Sequence, residues 1–279
     1  MEYQKSIIEV IRERKSCRTF IKKDIKLDEV KKLEEFINEI NSLIDIKARF
    51  MLVTREIENN KKTEKLGTYG IISGATSFIV GIMDRQEKKA ETFGYNFEKI
   101  ILFATDLGLA TCWLAGTFNR NDFAKKIDLS GNEFIPIVSP VGYPKSKRGI
   151  LDSMVRTIAR SGNRKQWSEI FFDKEPDIPI EKSSIGEYEA ALEMTRIAPS
   201  ASNKQPWRII RDDHGYNFYI FRTKGYKLRN FDVQRNDLGI AMCHFELTLK
   251  ELRHKGEWQF IKDNHRSDGF EYVVTWVHV

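Results

Sequence analysis

Apolar positions divide the chain into helix-like and strand-like stretches that follow each other in the same order twice. Apolar residues at helical spacing, with charged residues opposite, predict helices over residues 6–14, 27–43, 185–197 and 238–252. A further helix over 97–107 is strongly apolar and ends at Gly108, a residue that suits a helix C-terminus. Apolar runs predict strands over 48–54, 76–82, 134–143, 207–211, 216–221 and 270–279. This mixture predicts an α+β (α/β) protein.

The two halves of the chain also resemble each other in sequence. Residues 102–113 align with residues 247–258 at an offset of 145 positions. One aligned pair, Asp106/Glu251, is similar, and three are identical: Leu102/Leu247, Leu107/Leu252 and Trp113/Trp258. Together with the repeated order of elements, these matches favour a duplicated unit. Two unrelated α/β segments are the alternative.

A chain of 279 residues is long enough for one large domain or two smaller ones. A stretch that carries Pro176 and Pro179 among acidic residues predicts a linker over 173–184. This linker divides the sequence into a first half over residues 1–172 and a second half over residues 185–279.

Composition and charge exclude several classes of protein. Hydrophobic residues make up 41% and charged residues 31%, as in ordinary soluble proteins, and the net charge is +6. The lysines are spread along the chain rather than clustered, which argues against nucleic-acid binding. The best apolar run, 69–83, is too short and too broken to span a membrane. The charged N-terminal residues and three widely separated cysteines predict a cytoplasmic protein with reduced thiols.

The first candidate binding segment is Arg14-Lys15-Ser16-Cys17-Arg18, at the end of the first predicted helix. Three cations and a hydroxyl within five residues suit a phosphate and a second anionic group. A solvated basic helix end, which the helix dipole favours, is the other interpretation. The residue types alone favour that second interpretation.

A second candidate segment, residues 198–207, reads APSASNKQPW and lies between a predicted helix and a predicted strand. Its two prolines fix the backbone, while Ser200, Asn203 and Gln205 supply hydrogen-bond donors and acceptors. Small residues between the prolines allow a flat ligand to approach the backbone closely. An ordinary connecting loop is the alternative, but loops that combine rigid and polar groups commonly hold ligands.

Two further segments follow apolar runs in the first half. CWLAG at 112–116 ends in a glycine that can present a bare backbone N–H, although a plain turn explains it as well. GYPKSKR at 142–148 places three cations after a strand and fits either a phosphate site or a charged loop. The sequence has no metal-binding histidine pattern, P-loop, GxGxxG or GxSxG motif. Metal catalysis, Rossmann dinucleotide binding and hydrolase chemistry are therefore not supported.

Together these segments resemble the nitroreductase family. RKSCR at 14–18 is similar to the family's N-terminal Arg-x-Ser-x-basic signature, and APSASNKQPW at 198–207 closely resembles its second signature. The stretch from Phe97 through LGLATCWLAG to PVGYPKSKR resembles the family's core helix, flavin-edge loop, last strand and basic tail. The resemblance implies a nitroreductase-like fold.

The distribution of the signatures resembles a tandem branch of that family, in which one chain imitates the usual homodimer. The first half carries RKSCR but has IDIKARFMLV where the second signature would stand. The second half carries APSASN but has no Arg-x-Ser before its helix. The resemblance therefore implies two similar half-domains and a single FMN pocket between them. A chain that supplies its own pseudo-dimer makes a monomer reasonable, and the oligomeric state stays open.

The resemblance also implies roles for residues of the first half. Arg14 and Ser16 are expected at the FMN phosphate and ribityl chain, while Lys15 stands where the family varies. Arg18 is expected near flavin N1 and O2, where a cation stabilises the reduced ring. The other expected contacts are the phosphate for Lys147 and Arg148, the ring edge for Leu114 and Ala115, and flavin N5 for the Gly116 N–H.

Residues of the second half are expected on the opposite side of the same flavin. By resemblance, the dimethylbenzene and ribityl side is contacted by Pro199, Ser200, Ala201 and Asn203, with Gln205 nearby. No side chain is expected to act as an acid or base, because the flavin carries the hydride chemistry.

The implied activity is a two-electron transfer from NADH or NADPH, through FMN, to a small acceptor. Nitroaromatics and quinones are the usual acceptors in the family that the sequence resembles. A non-catalytic protein that binds or senses flavin is the alternative. The expected partner is a small-molecule substrate, without nucleic acid or membrane.

Overall fold

Helices and strands alternate along the chain, in agreement with the apolar pattern. A computed structural model describes residues 2–54, 67–146, 163–228, 230–262 and 269–279, so Lys147 and Arg148 lie outside the described residues. The helices are α1 (Ile7–Glu13), α2 (Leu27–Leu43), α3 (Ala90–Asp106), α4 (Arg120–Ala124), α5 (Glu189–Arg196) and α6 (Val233–Glu251). The strands are β1 (Ala48–Thr54), β2 (Ser77–Asp84), β3 (Ala110–Thr111), β4 (Glu133–Gly142), β5 (Phe171–Asp173), β6 (Trp207–Asp212), β7 (Gly215–Phe221), β8 (Gly256–Gln259) and β9 (Phe270–His278).

The two long apolar helices begin earlier than their apolar pattern predicts. Helix α6 begins at Val233, because Asp232 caps it by accepting a hydrogen bond from the Arg235 N–H at 3.1 Å. Its first turn is polar yet buried, so apolar spacing does not mark it. Helix α3 begins at Ala90 rather than Phe97. No helix within the described ranges is long and apolar enough to cross a bilayer.

The strands form two sheets with closely related topologies. The first sheet has the order β1-β2-β4-β3, and the second has the order β5-β6-β7-β9-β8. Strands β6, β7, β9 and β8 thus repeat the arrangement of β1, β2, β4 and β3, and neighbouring strands in both sets are antiparallel. Strand β5 is the addition: it pairs in parallel with β6, with Phe171 opposite Ile209. The chain therefore enters the second sheet at the beginning of the predicted linker.

Helices α3 and α6 pack directly on each other between the two sheets. Gly94 on α3 and Gly239 on α6 lie at the contact, where each faces the backbone of the other helix. These glycines are also 145 positions apart. The crossing brings the polar residues at the N-terminus of α6 close to the first half of the chain, and the candidate site lies beside it.

Candidate functional site

Helix α1 is fixed at its N-terminus by two carboxylates, one from the end of each long helix. Asp106 accepts hydrogen bonds from the backbone N–H groups of Gln4 and Lys5 at 2.7 and 3.0 Å. Glu251 accepts from the Ser6 hydroxyl at 2.8 Å and from the Ile7 N–H. Negative charge at this end also suits the helix dipole. The position of α1, and of the basic segment that follows it, is therefore set by both halves.

The segment at 14–18 leaves α1 and runs alongside the first sheet. The Arg14 N–H still bonds to the Val10 carbonyl at 2.9 Å, which ends the helix. Ser16 then pairs in parallel with Thr111 of β3, and the Cys17 N–H donates to the Thr111 carbonyl at 2.8 Å. This pairing holds the basic segment next to the loop that leaves β3.

That loop contains Leu114, Ala115 and Gly116. Leu114 forms two backbone hydrogen bonds with Val138 of β4, of 2.9 and 3.0 Å, so the chain stays close to the sheet. The Ala115 carbonyl accepts from the Arg120 guanidinium at 2.7 Å. Because carbonyl and N–H point in opposite directions across a trans peptide, the Gly116 N–H points away from Arg120.

The second-half segment forms a tight turn held by its own polar groups. Ser202, Asn203 and Gln205 all have positive φ, of 48°, 56° and 49°, which is uncommon for non-glycine residues. The Ser200 hydroxyl accepts from the Gln205 N–H at 2.8 Å. Asp237 at the beginning of α6 accepts from the Ala201 N–H at 3.0 Å. The turn is thus tied down at several points, as a preorganised binding loop requires.

The two signature segments meet in one cleft. The first half contributes Arg14, Lys15, Ser16 and Arg18, together with Ala115 and Gly116. The second half contributes Pro199, Ser200, Ala201 and Asn203. The segments at 14–18 and 199–203, at least 181 positions apart in the sequence, therefore line a single site.

Two other predicted site residues, Leu114 and Gln205, do not line the cleft. Leu114 is 3% exposed and packs in the core of the first half. Gln205 is also 3% exposed; its carbonyl accepts from the Lys165 N–H at 2.8 Å and its amide donates to the Asn203 carbonyl at 3.1 Å. The structure therefore places Gln205 behind the turn, where its hydrogen bonds support the turn's conformation.

The cleft is strongly electropositive. Besides Arg14, Lys15 and Arg18 it is lined by Arg164, whose guanidinium donates to the Asn203 side-chain carbonyl at 2.9 Å. Burial, with further repulsion from Arg14, lowers the pKa of Arg164 to about 10. Asp237 is the one carboxyl among the described lining residues, and burial raises its pKa well above its ordinary value. Four cations thus line the cleft beside one buried carboxyl, and this excess of positive charge suits an anionic ligand.

Arg14 combines burial with incomplete hydrogen bonding. It is 9% exposed, and its Nε and Nη1 have no hydrogen-bond partner in the part of the chain that the structure describes. The nearest carboxylate oxygen of the described residues, from Glu98, lies 3.8 Å from Nε, beyond hydrogen-bond distance. Unsatisfied donors of a buried charged group cost free energy, and a bound anion in the cleft would relieve that cost.

Several lining residues were not predicted from the sequence. Arg164 lies in a polar stretch without any recognisable motif, and the sequence marks Trp113 only as part of CWLAG and as the counterpart of Trp258. Asn236 and Asp237 lie near the beginning of α6, before the predicted beginning of that helix. Two adjacent polar residues on a buried helical turn are a usable signal, but only once the helix boundary is known.

Comparison with known proteins identifies the family. Residues 6–249 match the model of a family described as "Putative TM nitroreductase". The chain therefore belongs to this nitroreductase family, in agreement with its sequence signatures. No curated protein matches the chain.

Solved structures agree with this assignment at the level of the fold. A "putative nitroreductase" from Thermotoga maritima is 19% identical, covers 100% of this chain and 96% of its own, and has a TM-score of 0.59. The predicted nitroreductase-like fold is thereby confirmed.

Other solved structures match about half of the chain. A nitroreductase family protein from Clostridium novyi is 23% identical, with 55% of this chain and 91% of that chain covered and a TM-score of 0.39. A "putative nitroreductase in complex with FMN" from Desulfovibrio desulfuricans is 18% identical, with 54% and 95% covered and a TM-score of 0.38.

Proposed function

We propose that this chain binds one FMN in the cleft and uses it as an oxidoreductase that takes electrons from NADH or NADPH. The acceptor is a small molecule such as a nitroaromatic or a quinone. The observation that carries the proposal is Arg14, a buried guanidinium that faces the cleft with two unpartnered donor groups among the described residues. Family membership supports the same chemistry.

The residues of the cleft fit the parts of FMN. The arginine at position 14 and the Ser16 hydroxyl offer charged and neutral hydrogen-bond donors to a phosphate. The small residues Pro199 and Ala201, which line the cleft from the second half, would leave room for a flat ring system. Arg18 supplies a cation that stabilises negative charge on a reduced flavin. Bound FMN would supply the hydride chemistry, and the protein would position it and exclude water.

We further propose that the chain is a duplicated unit whose halves imitate the two subunits of a dimer. The repeated sheet topology and the glycines at the helix crossing, 145 positions apart, support this proposal. The cleft draws one signature from each half, so a single site per chain is the expected stoichiometry. A monomer in solution is then sufficient for function.

The decisive experiment is titration of the purified protein with FMN, followed by anaerobic reduction. We expect one FMN per chain, bleaching of the flavin absorbance by NADH or NADPH, and its return when an acceptor is added. Tight binding without turnover with any acceptor would favour the non-catalytic flavin-binding alternative. A protein that ignores added FMN would remove the proposal.

Variants in opposite halves test whether the site is shared. Arg14→Ala removes a cation from the first-half wall, and Ala201→Trp fills the cleft from the second-half wall. Each should abolish FMN binding. Arg49→Ala is the control, because Arg49 pairs with Glu133 at 2.9 Å and does not line the cleft. If either cleft variant bound FMN as the native chain does, a pocket shared by the two halves would be wrong.

A further inference from the structure

Glu98 lies in a buried polar cluster behind the cleft, where α3 meets α6. Its side chain is 0% exposed. One carboxylate oxygen accepts from the Trp113 indole N–H at 2.8 Å, and the other lies 2.9 Å from Nε2 of His244 on α6. That second oxygen is also the one 3.8 Å from Arg14 Nε. Trp113, which bonds to Glu98, and Arg14, which faces it, both line the cleft. Glu98 itself does not.

We propose that Glu98 is the positioning residue of the cleft. It orients Arg14 and Trp113, and His244 from the other half offsets its charge so that Arg14 remains available to an anion. The proposal deepens the proposed function, on which it rests for the identity of that anion as the FMN phosphate. The positioning itself is a property of the protein without its ligand.

The contacts of His244 require an additional proton in the cluster. Its Nδ1 lies 3.0 Å from the Met194 carbonyl, and its Nε2 lies 2.9 Å from the Glu98 carboxylate. A neutral imidazole has one N–H and one acceptor nitrogen, so it cannot donate to both. Either His244 donates from both nitrogens as a cation, or Glu98 carries the shared proton. In both states the pair has no net charge.

A neutral pair has a direct consequence for Arg14. A buried carboxylate without a compensating charge would attract the nearby guanidinium strongly and would repel an incoming phosphate. With His244 in place, Glu98 still provides a fixed hydrogen-bond acceptor and a local dipole. The positive charge of Arg14 is then not cancelled. This explains how a buried carboxylate can stand next to an anion site.

The second half of the chain contains a matched control. Trp258, the counterpart of Trp113 at the offset of 145, donates its indole N–H to Glu246 at 2.6 Å. Glu246 also accepts from the Tyr95 hydroxyl at 2.7 Å. Neither Trp258 nor Glu246 lines the cleft. A variant at Glu246 therefore removes a tryptophan–carboxylate contact on a long helix without affecting the proposed site.

The test compares Glu98→Gln, His244→Gln and Glu246→Gln in the full chain. FMN dissociation constants are measured by the change in flavin fluorescence. We expect Glu98→Gln and His244→Gln to weaken FMN binding by at least about tenfold, and Glu246→Gln to change it by less than about twofold. Equal or tighter FMN binding by Glu98→Gln would overturn the proposal, because loss of the positioning contacts is expected to weaken binding, whereas a change in charge without loss of positioning would not. Thermal unfolding of each variant verifies that it is folded.

A measurement without FMN separates this proposal from the proposed function. In ¹⁵N-labelled protein, the indole N–H resonance of Trp113 reports its hydrogen bond to Glu98, and the side-chain N–H resonance of Arg14 reports its proximity to the Glu98 carboxylate. We expect Glu98→Gln to shift the resonances of Arg14 and Trp113. Glu246→Gln should shift the resonance of Trp258 and leave those of Arg14 and Trp113 unchanged. Unshifted resonances in Glu98→Gln would overturn the positioning role. If the native chain fails to bind FMN, the proposed function fails and these resonances alone decide the role of Glu98.

Discussion

Gly94 and Gly239 occupy equivalent places at the crossing of the two long helices, and each leaves space for the backbone of the other helix. A Cβ on Gly94 would lie 2.2 Å from the Asn236 carbonyl oxygen, and one on Gly239 would lie 1.9 Å from the Glu91 carbonyl oxygen. Asn236 and Glu91 are themselves 145 positions apart. One close contact is thus made twice, with the roles of the helices exchanged, as a two-fold relationship between the halves requires.

Alanine at either glycine should destabilise the protein. Backbone atoms cannot move aside unless the helices separate, so we expect Gly94→Ala and Gly239→Ala each to lower the free energy of unfolding by about 1–3 kcal/mol. Urea denaturation measures the change. Gly131→Ala is the control, because nothing lies within 4 Å of the position of its Cβ. If only one of the two substitutions lowered the free energy of unfolding, the two equivalent contacts would not contribute equally to stability.

Replacement of Arg14 should separate binding from stability. Arg14→Met keeps a long side chain but removes the buried donors, which cost roughly 1–3 kcal/mol when unsatisfied. We therefore expect the ligand-free variant to be as stable as the native protein or more so, while FMN binding is lost. Melting temperatures with and without FMN measure both effects.

Arg49→Met should have the opposite effects on stability and FMN binding to those of Arg14→Met. Arg49 makes two hydrogen bonds to the Glu133 carboxylate, both of 2.9 Å. Its replacement should lower stability and leave FMN binding unchanged. A ligand-free Arg14→Met protein less stable than Arg49→Met would contradict the interpretation of Arg14 as a residue held ready for a ligand.

Asp237 should make stability depend on pH. Burial raises the pKa of Asp237 well above the ordinary value of 3.8. The protonated side chain therefore stabilises the fold fully below the unfolded pKa, and this stabilisation is lost as pH rises towards the folded pKa. Asp237→Asn keeps an acceptor for the Ala201 N–H and cannot ionise. We expect the free energy of unfolding of Asp237→Asn, relative to that of the native protein, to rise by about 1.4 kcal/mol per pH unit between the unfolded and the folded pKa of Asp237.

Urea midpoints of ligand-free protein over a pH series test the Asp237 prediction. Asp173→Asn serves as the contrasting variant, because its hydrogen bonds with Arg211 lower the pKa of Asp173. That carboxylate stabilises the fold above its unfolded pKa and loses its effect as pH falls, so Asp173→Asn should be the less stable protein near neutrality. If the stability difference between Asp237→Asn and the native protein were constant with pH, ionisation of Asp237 would not be its cause.

Gln205 should be important for the turn rather than for direct contact with the ligand. Gln205→Ala removes a buried side chain that bonds to the Lys165 N–H and the Asn203 carbonyl, and should cost about 1–3 kcal/mol of stability. Ser202→Ala is the matched change on the exposed side of the turn. Its hydroxyl bonds only to the Tyr226 hydroxyl among the described residues, at 2.9 Å, so a change within about 0.5 kcal/mol is expected. Equal losses in chemical denaturation would contradict this assignment.

Apolar spacing predicted the order of the elements because a helix or strand that is buried on one face has apolar residues at regular intervals along the sequence. It failed where buried positions are polar, as in the first turn of α6, and where a strand is very short. Strand β5 has three residues and is stabilised by pairing with residues of β6 that lie 38 positions further along the chain, so no local pattern marks it.

The candidate site was predictable in part, for a related reason. The segments at 14–18 and 198–207 carry dense local chemistry, and the structure brings them together. Arg164 and Asp237 enter the site through contacts with those segments, and such contacts leave no trace in local sequence. Polarity alone also did not reveal which way a side chain points, so Gln205 was expected at the ligand although it faces Lys165.

The pair formed by Glu98 and His244 has no equivalent on the other side of the helix crossing. At the offset of 145, Glu98 corresponds to Cys243 and His244 corresponds to Lys99. A homodimer encoded by one short gene would have to carry any such substitution in both subunits at once. The duplication proposed above would free each copy to diverge, so that residues of one half could change to serve the proposed site while the other half kept only residues needed for the fold.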